Sequence, residues 1–132
     1  MCKNNNSKRA ECNVKRLLIV DDQQGIRLLL NEVLKKEGYV TYLAANGAEA
    51  LRYAEEESID CVLLDMKIPG MDGIEILKRL KEKWPQLPVF MMTAYGELDV
   101  VQEALDLGAI RYFTKPFDIF EVRDAVNRTL KT

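Results

Sequence analysis

The chain has 132 residues, 48% of them hydrophobic and 30% charged, which is enough for one globular domain and too few for two. Its 19 Lys plus Arg against 21 Asp plus Glu leave a net charge of −2, so the chain as a whole has no attraction to nucleic acid or membrane, and no apolar run approaches a bilayer span. Histidine is absent, which excludes histidine-built zinc catalysis and Ser-His-Asp or Cys-His machinery.

Residues 1–14 are polar and carry no apolar stretch, so they are expected to form a flexible tail rather than a secretory signal. Cys2, Cys12 and Cys61 have no metal-type spacing. An odd cysteine count without an export signal points to reduced thiols and a cytoplasmic location. Cys61 reads as a small core residue within a strand.

From Val14 onward, short apolar runs alternate with amphipathic stretches. Strands are predicted near 15–20, 40–44, 60–64, 88–92 and 110–113, and helices near 24–37, 47–57, 73–83, 97–107 and 119–130. Five β-then-α units predict an α/β fold with one doubly wound parallel sheet, covered by helices on both faces. Gly38 and Gly108 fall just after helices, where a left-handed cap is wanted. Asp72 is placed to cap the helix carrying Ile74, Ile76 and Leu77, and Asp118 with Glu121 forms a candidate capping box for the last helix. Only Lys131-Thr132 follows that helix, so residues 15–131 are expected to form one domain with no output domain attached.

In open parallel sheets, ligands bind outside the carboxyl ends of the strands where strand order reverses. Asp21-Asp22, Asp65, Thr93 and Lys115 each end a different predicted strand, so three acids, a hydroxyl and an ammonium are delivered to one edge. Asp21-Asp22 alone would read as a turn or helix cap, Thr93 as a β-favouring residue, and Lys115 as a solvated charge. Their convergence suits a hard cation with oxygen ligands, Mg2+ with Mn2+ as the alternative. Asp65 is then the candidate nucleophile toward phosphorus, with Lys115 and Thr93 contacting phosphoryl oxygens. Pro116 restricts the backbone of Lys115, an unusual setting for a casual surface charge.

These residues carry a resemblance. Leu18-Ile-Val-Asp-Asp22, Val62-Leu-Leu-Asp-Met-Lys-Ile-Pro-Gly-Met-Asp-Gly73, Met92-Thr-Ala94 and Lys115-Pro-Phe117 resemble the receiver domain of bacterial two-component response regulators, across residues 15–130. Gly70–Arg79, Thr93–Asp99 and Lys115–Ile119 are most similar to the single-domain phosphorelay members of endospore-forming bacilli. The resemblance implies a flavodoxin-like (βα)5 fold with strand order 2-1-3-4-5. It implies Asp65 as phosphoacceptor, and Mg2+ held by Asp22, Asp65 and the Lys67 carbonyl, with Asp21 acting through water. It also implies a cis Lys115-Pro116 peptide, and Thr93 and Tyr112 as switch residues. Tyr112 stands where the sporulation members carry histidine, and it reads equally well as a half-buried strand aromatic.

The implied partners are a sensor histidine kinase and a histidine phosphotransferase, with an aspartyl-phosphate phosphatase as a further one. The chain itself would be a monomeric phosphorelay intermediate, not an enzyme, acting in sporulation initiation. On the first helix, Ile26, Leu29, Leu30, Val33 and Leu34 form one apolar stripe at about 100° per residue, while Leu28 falls on the far side. Leu28 reads either as a lone exposed leucine or as part of a docking surface. By the resemblance, Gln24, Gly25, Ile26, Leu28 and Leu29, with Pro116 and Phe117, contact the partner. Gln23, Lys67 and Tyr95 flank the path of an attacking water and are expected to slow dephosphorylation.

Three other readings compete. A haloacid-dehalogenase-like phosphatase needs a second acid two residues after its nucleophile, where this chain has Lys67. A flavodoxin-like flavin binder needs a phosphate loop after the first strand, where Asp21-Asp22 would repel the ligand. Within the receiver family, a stand-alone output regulator would bind a target protein once phosphorylated.

Overall fold

The computed structural model describes residues 14–68, 70–93 and 98–130. The N-terminal tail with Cys2 and Cys12, and Tyr95, lie outside the described residues.

The chain runs β1 (Arg16–Val20), α1 (Gln24–Lys36), β2 (Val40–Ala44), α2 (Gly47–Glu56), β3 (Cys61–Asp65), α3 (Gly73–Lys83), β4 (Val89–Thr93), α4 (Leu98–Asp106), β5 (Arg111–Thr114) and α5 (Ile119–Leu130). The five strands are parallel and lie in the order β2-β1-β3-β4-β5, as expected. The predicted limits hold to within one or two residues.

Side chains alternate across the sheet. Leu18, Val20, Val62, Leu64, Val89 and Met91 pack beneath α2, α3 and α4 through Ala50, Ala54, Ile76, Leu77, Leu80 and Ala104. On the other face, Leu17, Ile19, Cys61, Leu63, Phe90, Met92 and Phe113 meet Leu30 and Leu34 of α1 and Val122, Ala125 and Val126 of α5. This double cover explains why β1, β3 and β4 are buried from end to end and are apolar apart from Arg16, Asp65 and Thr93 at their ends. Cys61 is a buried free thiol, and burial pushes its ionisation far above the ordinary thiol range.

Local signals act as predicted at most ends. Gly38 and Gly108 have φ of 97° and 112°, the left-handed caps that close α1 and α4. Asp72 caps α3 by accepting from the Glu75 amide at 3.0 Å. Two expectations change. Asp118 accepts from the Phe120 amide at 2.9 Å, but the Glu121 carboxylate turns away to Arg111 at 3.1 Å, so the capping box is half formed. Leu29 does not belong to the buried stripe of α1. It is 48% exposed, like Leu28 at 49%. A helix lying on one sheet face buries only a narrow arc, here centred on Leu30 and Leu34, and Leu29 sits about 100° from Leu30 at its edge.

The chain leaves β1 for β2 on one side and reaches β3 on the other. The carboxyl ends of β1 and β3 therefore flank the point where strand order reverses, and Asp21-Asp22 and Asp65 stand there. Among the described residues no helix is long and apolar enough to cross a membrane.

Candidate functional site

The first acid of the pocket is fixed by sheet pairing. The Asp21 amide donates to the Ala44 carbonyl at 3.1 Å, prolonging the β1–β2 ladder by one residue. Its carbonyl accepts from Arg27 Nη1 at 2.5 Å, and its Oδ1 accepts from the Gln23 amide at 2.9 Å. The side chain is fully buried. Asp22, the next residue, is exposed at the pocket mouth.

Asp65 ends β3 opposite Met92 and is 5% exposed. The following loop is closed at both ends, by the Met66 amide on the Met92 carbonyl at 2.9 Å and by the Gly73 amide on the Met66 carbonyl at 2.8 Å. The Lys67 backbone N–H reaches the Asp65 carboxylate, while the Lys67 side chain is exposed. Thr93 ends β4, buried, and its carbonyl accepts from the Lys115 amide at 2.8 Å. Lys115 follows β5 at a cis peptide with Pro116, as the sequence resemblance implies.

These elements bring Asp21, Asp22 and Asp65 together, with one oxygen of each within 4.8 Å of the others. The Lys115 ammonium stands 2.9 Å from Asp21 Oδ2 and 3.4 Å from Asp65 Oδ2, and it donates to Gln23 Oε1 at 3.3 Å. It compensates Asp21 by charge rather than by an aligned hydrogen bond, since Asp21 Oδ2 is buried without a hydrogen-bond partner. Two carboxylates at such a separation repel by roughly 3–4 kcal/mol at an effective dielectric of about 20. One ammonium among three acids leaves a deficit of two positive charges. Burial, and then the charge of Asp21, push the Asp65 carboxyl up to about 6, against the opposing pull of Lys115 and the Lys67 amide. A small divalent cation fits this donor set: the ligands are hard oxygens, one buried oxygen lacks a hydrogen-bond partner, and the missing charge is that of one such ion.

The other predicted residues surround this pocket. Gln24, Gly25, Leu28 and Leu29 are exposed on α1, and Pro116 is exposed beside Lys115. Ile26 and Phe117 are half-buried against the same core layer. Tyr112 is half-buried and lines a cleft of about 490 Å³ between β5 and α5, with Phe117, Asp118 and Glu121. Sequence reasoning does not single out Arg27, whose guanidinium holds the Asp21 carbonyl. Nor does it foresee that Gln23 meets Lys115, 92 residues away.

A doubly wound parallel α/β domain, with a cluster of three acids and a lysine at its switch point, is the class of protein that fold and site define. The chain belongs to the response regulator receiver domain family, which residues 17–127 match. It is similar to Sporulation initiation phosphotransferase F of Bacillus subtilis (strain 168), with 62% identity over 116 residues, covering 88% of this chain and 94% of that protein. Regulatory protein AtoC of Escherichia coli (strain K12) is 40% identical over 118 residues, covering 89% of this chain but 26% of that protein. Among solved structures, a CheY-like response regulator receiver domain protein from Methanospirillum hungatei JF-1 superposes with a TM-score of 0.85 at 32% identity, covering 89% of this chain and 94% of that one. Receiver domains accept a phosphoryl group on an aspartate, which sets aside the flavin-binding and dehalogenase-like readings.

Proposed function

We propose that Asp65 accepts a phosphoryl group from a partner's phosphohistidine and yields it to a histidine phosphotransferase, as an intermediate in a phosphorelay that initiates sporulation. The observation that carries this reading is the Lys115 ammonium seated against the buried carboxylates of Asp21 and Asp65 at the sheet's switch point. The relay role is supported by the 62% identity to Sporulation initiation phosphotransferase F, nearly all of which the chain covers.

Asp22, Asp65 and the Lys67 carbonyl would hold Mg2+ directly, with Asp21 acting through water. A bound Mg2+ supplies positive charge to the phosphoryl oxygens. An Asp65 carboxylate oxygen attacks phosphorus, the P–N bond to the partner's imidazole breaks, and the electron pair leaves with the ring. Lys115 neutralises one phosphoryl oxygen, and the Thr93 hydroxyl donates to another. Asp21 and Gln23 hold the ammonium in place, so little reorganisation is needed as charge develops. The partner docks on Gln24, Gly25, Ile26, Leu28 and Leu29, with Pro116 and Phe117. Thr93 and Tyr112 move toward the new charge, and Gln23, Lys67 and Tyr95 obstruct the hydrolytic water. Residues 15–131 act as one monomeric domain without turnover of a separate substrate.

Incubation with Mg2+ and acetyl phosphate tests the first half. Intact mass should rise by one phosphoryl group in the wild type and not in Asp65→Asn. The second half is tested with a purified histidine phosphotransferase: rapid transfer in both directions supports the relay. Tight binding to a target without return of the phosphoryl group would mark an output regulator instead.

A further inference from the structure

Helix α3 meets the acid-bearing turn through a residue that has no side chain. A Cβ built on Gly73 would lie 2.6 Å from the Asp65 carbonyl oxygen, 2.8 Å from Met66 Cα and 3.0 Å from the Met66 carbonyl oxygen. All three are backbone atoms, and none has a rotamer to change. The Gly73 amide also donates to the Met66 carbonyl at 2.8 Å. Met66 and Ile68 are buried, and the Met66 amide is tied to β4. The segment carrying Asp65 and Lys67 is therefore pressed between β4 and the first residue of α3.

We propose that Gly73 is a positioning residue for the phosphoacceptor: by letting the start of α3 lie directly on the Asp65–Met66 backbone, it sets where the Asp65 carboxylate and the Lys67 carbonyl stand. This inference rests on the reading of Asp65 and Mg2+ given above. Gly73 has no positive φ to explain it, since Gly38, Gly70 and Gly108 are the glycines with that conformation among the described residues. Its lack of a side chain is required by contact alone. A methyl group at 73 must lift either α3 or the acid-bearing turn. The buried Ile76, Leu77 and Leu80 hold α3 to the sheet, so the turn is the part that gives.

The test compares Gly73→Ala with Gly47→Ala. Gly47 is also tightly packed but less severely, at 3.2 Å, and by side-chain atoms of Ile76 and Met71 rather than by the backbone of Asp65 and Met66. Mg2+ affinity by calorimetry and phosphoryl uptake from acetyl phosphate are measured on both. Gly73→Ala should weaken Mg2+ binding on the order of tenfold or more, the loss expected when a group orienting a metal ligand is disturbed, while Gly47→Ala stays near wild type. Equal behaviour of the two variants overturns the inference and leaves the proposed function standing. A wild type that neither binds Mg2+ nor takes up phosphate overturns both. Should Gly73→Ala not fold, amide exchange in the wild type decides: saturating Mg2+ should slow exchange at Met66 and Gly73, and unaltered rates there overturn the inference.

Discussion

Lys115 and Asp21 form the most buried ion pair of the pocket, 2.9 Å apart, with Asp21 fully enclosed and Lys115 largely so. Removing the cation strands a buried charge. Lys115→Met should cost about 2 kcal/mol or more in the absence of Mg2+, somewhat below the range for a fully buried pair because Lys115 keeps some solvent contact. Chemical denaturation in EDTA measures the loss, and added Mg2+ should recover much of it.

Asp65→Asn should act in the opposite direction. The folded Asp65 carboxyl titrates at about 6, above its ordinary value of 3.8. Between those values the folded state keeps a proton that the unfolded chain releases, so metal-free stability is full below pH 4 and falls as pH rises through 6. The loss is on the order of 2–3 kcal/mol. The asparagine variant escapes it. It should be more stable than wild type at pH 7.5 in EDTA and nearly equal at pH 4, by urea denaturation at both. A variant less stable than wild type at pH 7.5 would contradict the raised carboxyl.

Magnesium should stabilise the wild type and not a protein lacking its ligands. At 100 times the dissociation constant the gain is about 2.7 kcal/mol. Thermal unfolding with and without Mg2+ should show this gain in the wild type, and a much smaller one in Asp22→Ala, whose exposed site leaves the fold undisturbed.

The exposed leucines on α1 separate docking from chemistry. Leu28→Glu and Leu29→Glu should change stability by no more than about 0.5 kcal/mol, as surface substitutions do. Each should slow phosphoryl transfer from a histidine partner by roughly tenfold, the cost of one interface anchor. Labelling by acetyl phosphate should be unaffected, because the pocket is untouched. Equal slowing with both donors would place these residues in the chemistry rather than in docking.

The architecture was legible because its signals are local and repeated. Runs such as Leu17–Val20 and Cys61–Leu64, each ending in an acid, announce strands buried on both faces whose carboxyl ends share one edge. Asp72, Gly38 and Gly108 mark helix ends by chemistry that acts within one turn. The convergence of Asp21, Asp22, Asp65 and Lys115 followed from the sheet. What was not legible depends on distances between segments far apart in the chain. The contact of Gln23 with Lys115, the hold of Arg27 on the Asp21 carbonyl, and the pairing of Glu121 with Arg111 rather than its own cap are choices among polar partners, and spacing does not encode them. Leu29 fell on the wrong side because the width of the buried arc is set by how α1 lies on the sheet.

Helix α3 begins against the backbone of Asp65 and ends at Trp84, whose amide closes the last turn on Leu80. Its 11 residues make a rod about 16 Å long. The sole tryptophan of the chain thus sits at the opposite pole of the molecule, on the same rigid shaft. Tryptophan fluorescence should consequently be little affected by small local changes of charge among the acids and should respond when the shaft itself tilts against Ile59 and Leu87, giving a native optical gauge of how far a chemical event at one pole is carried to the other.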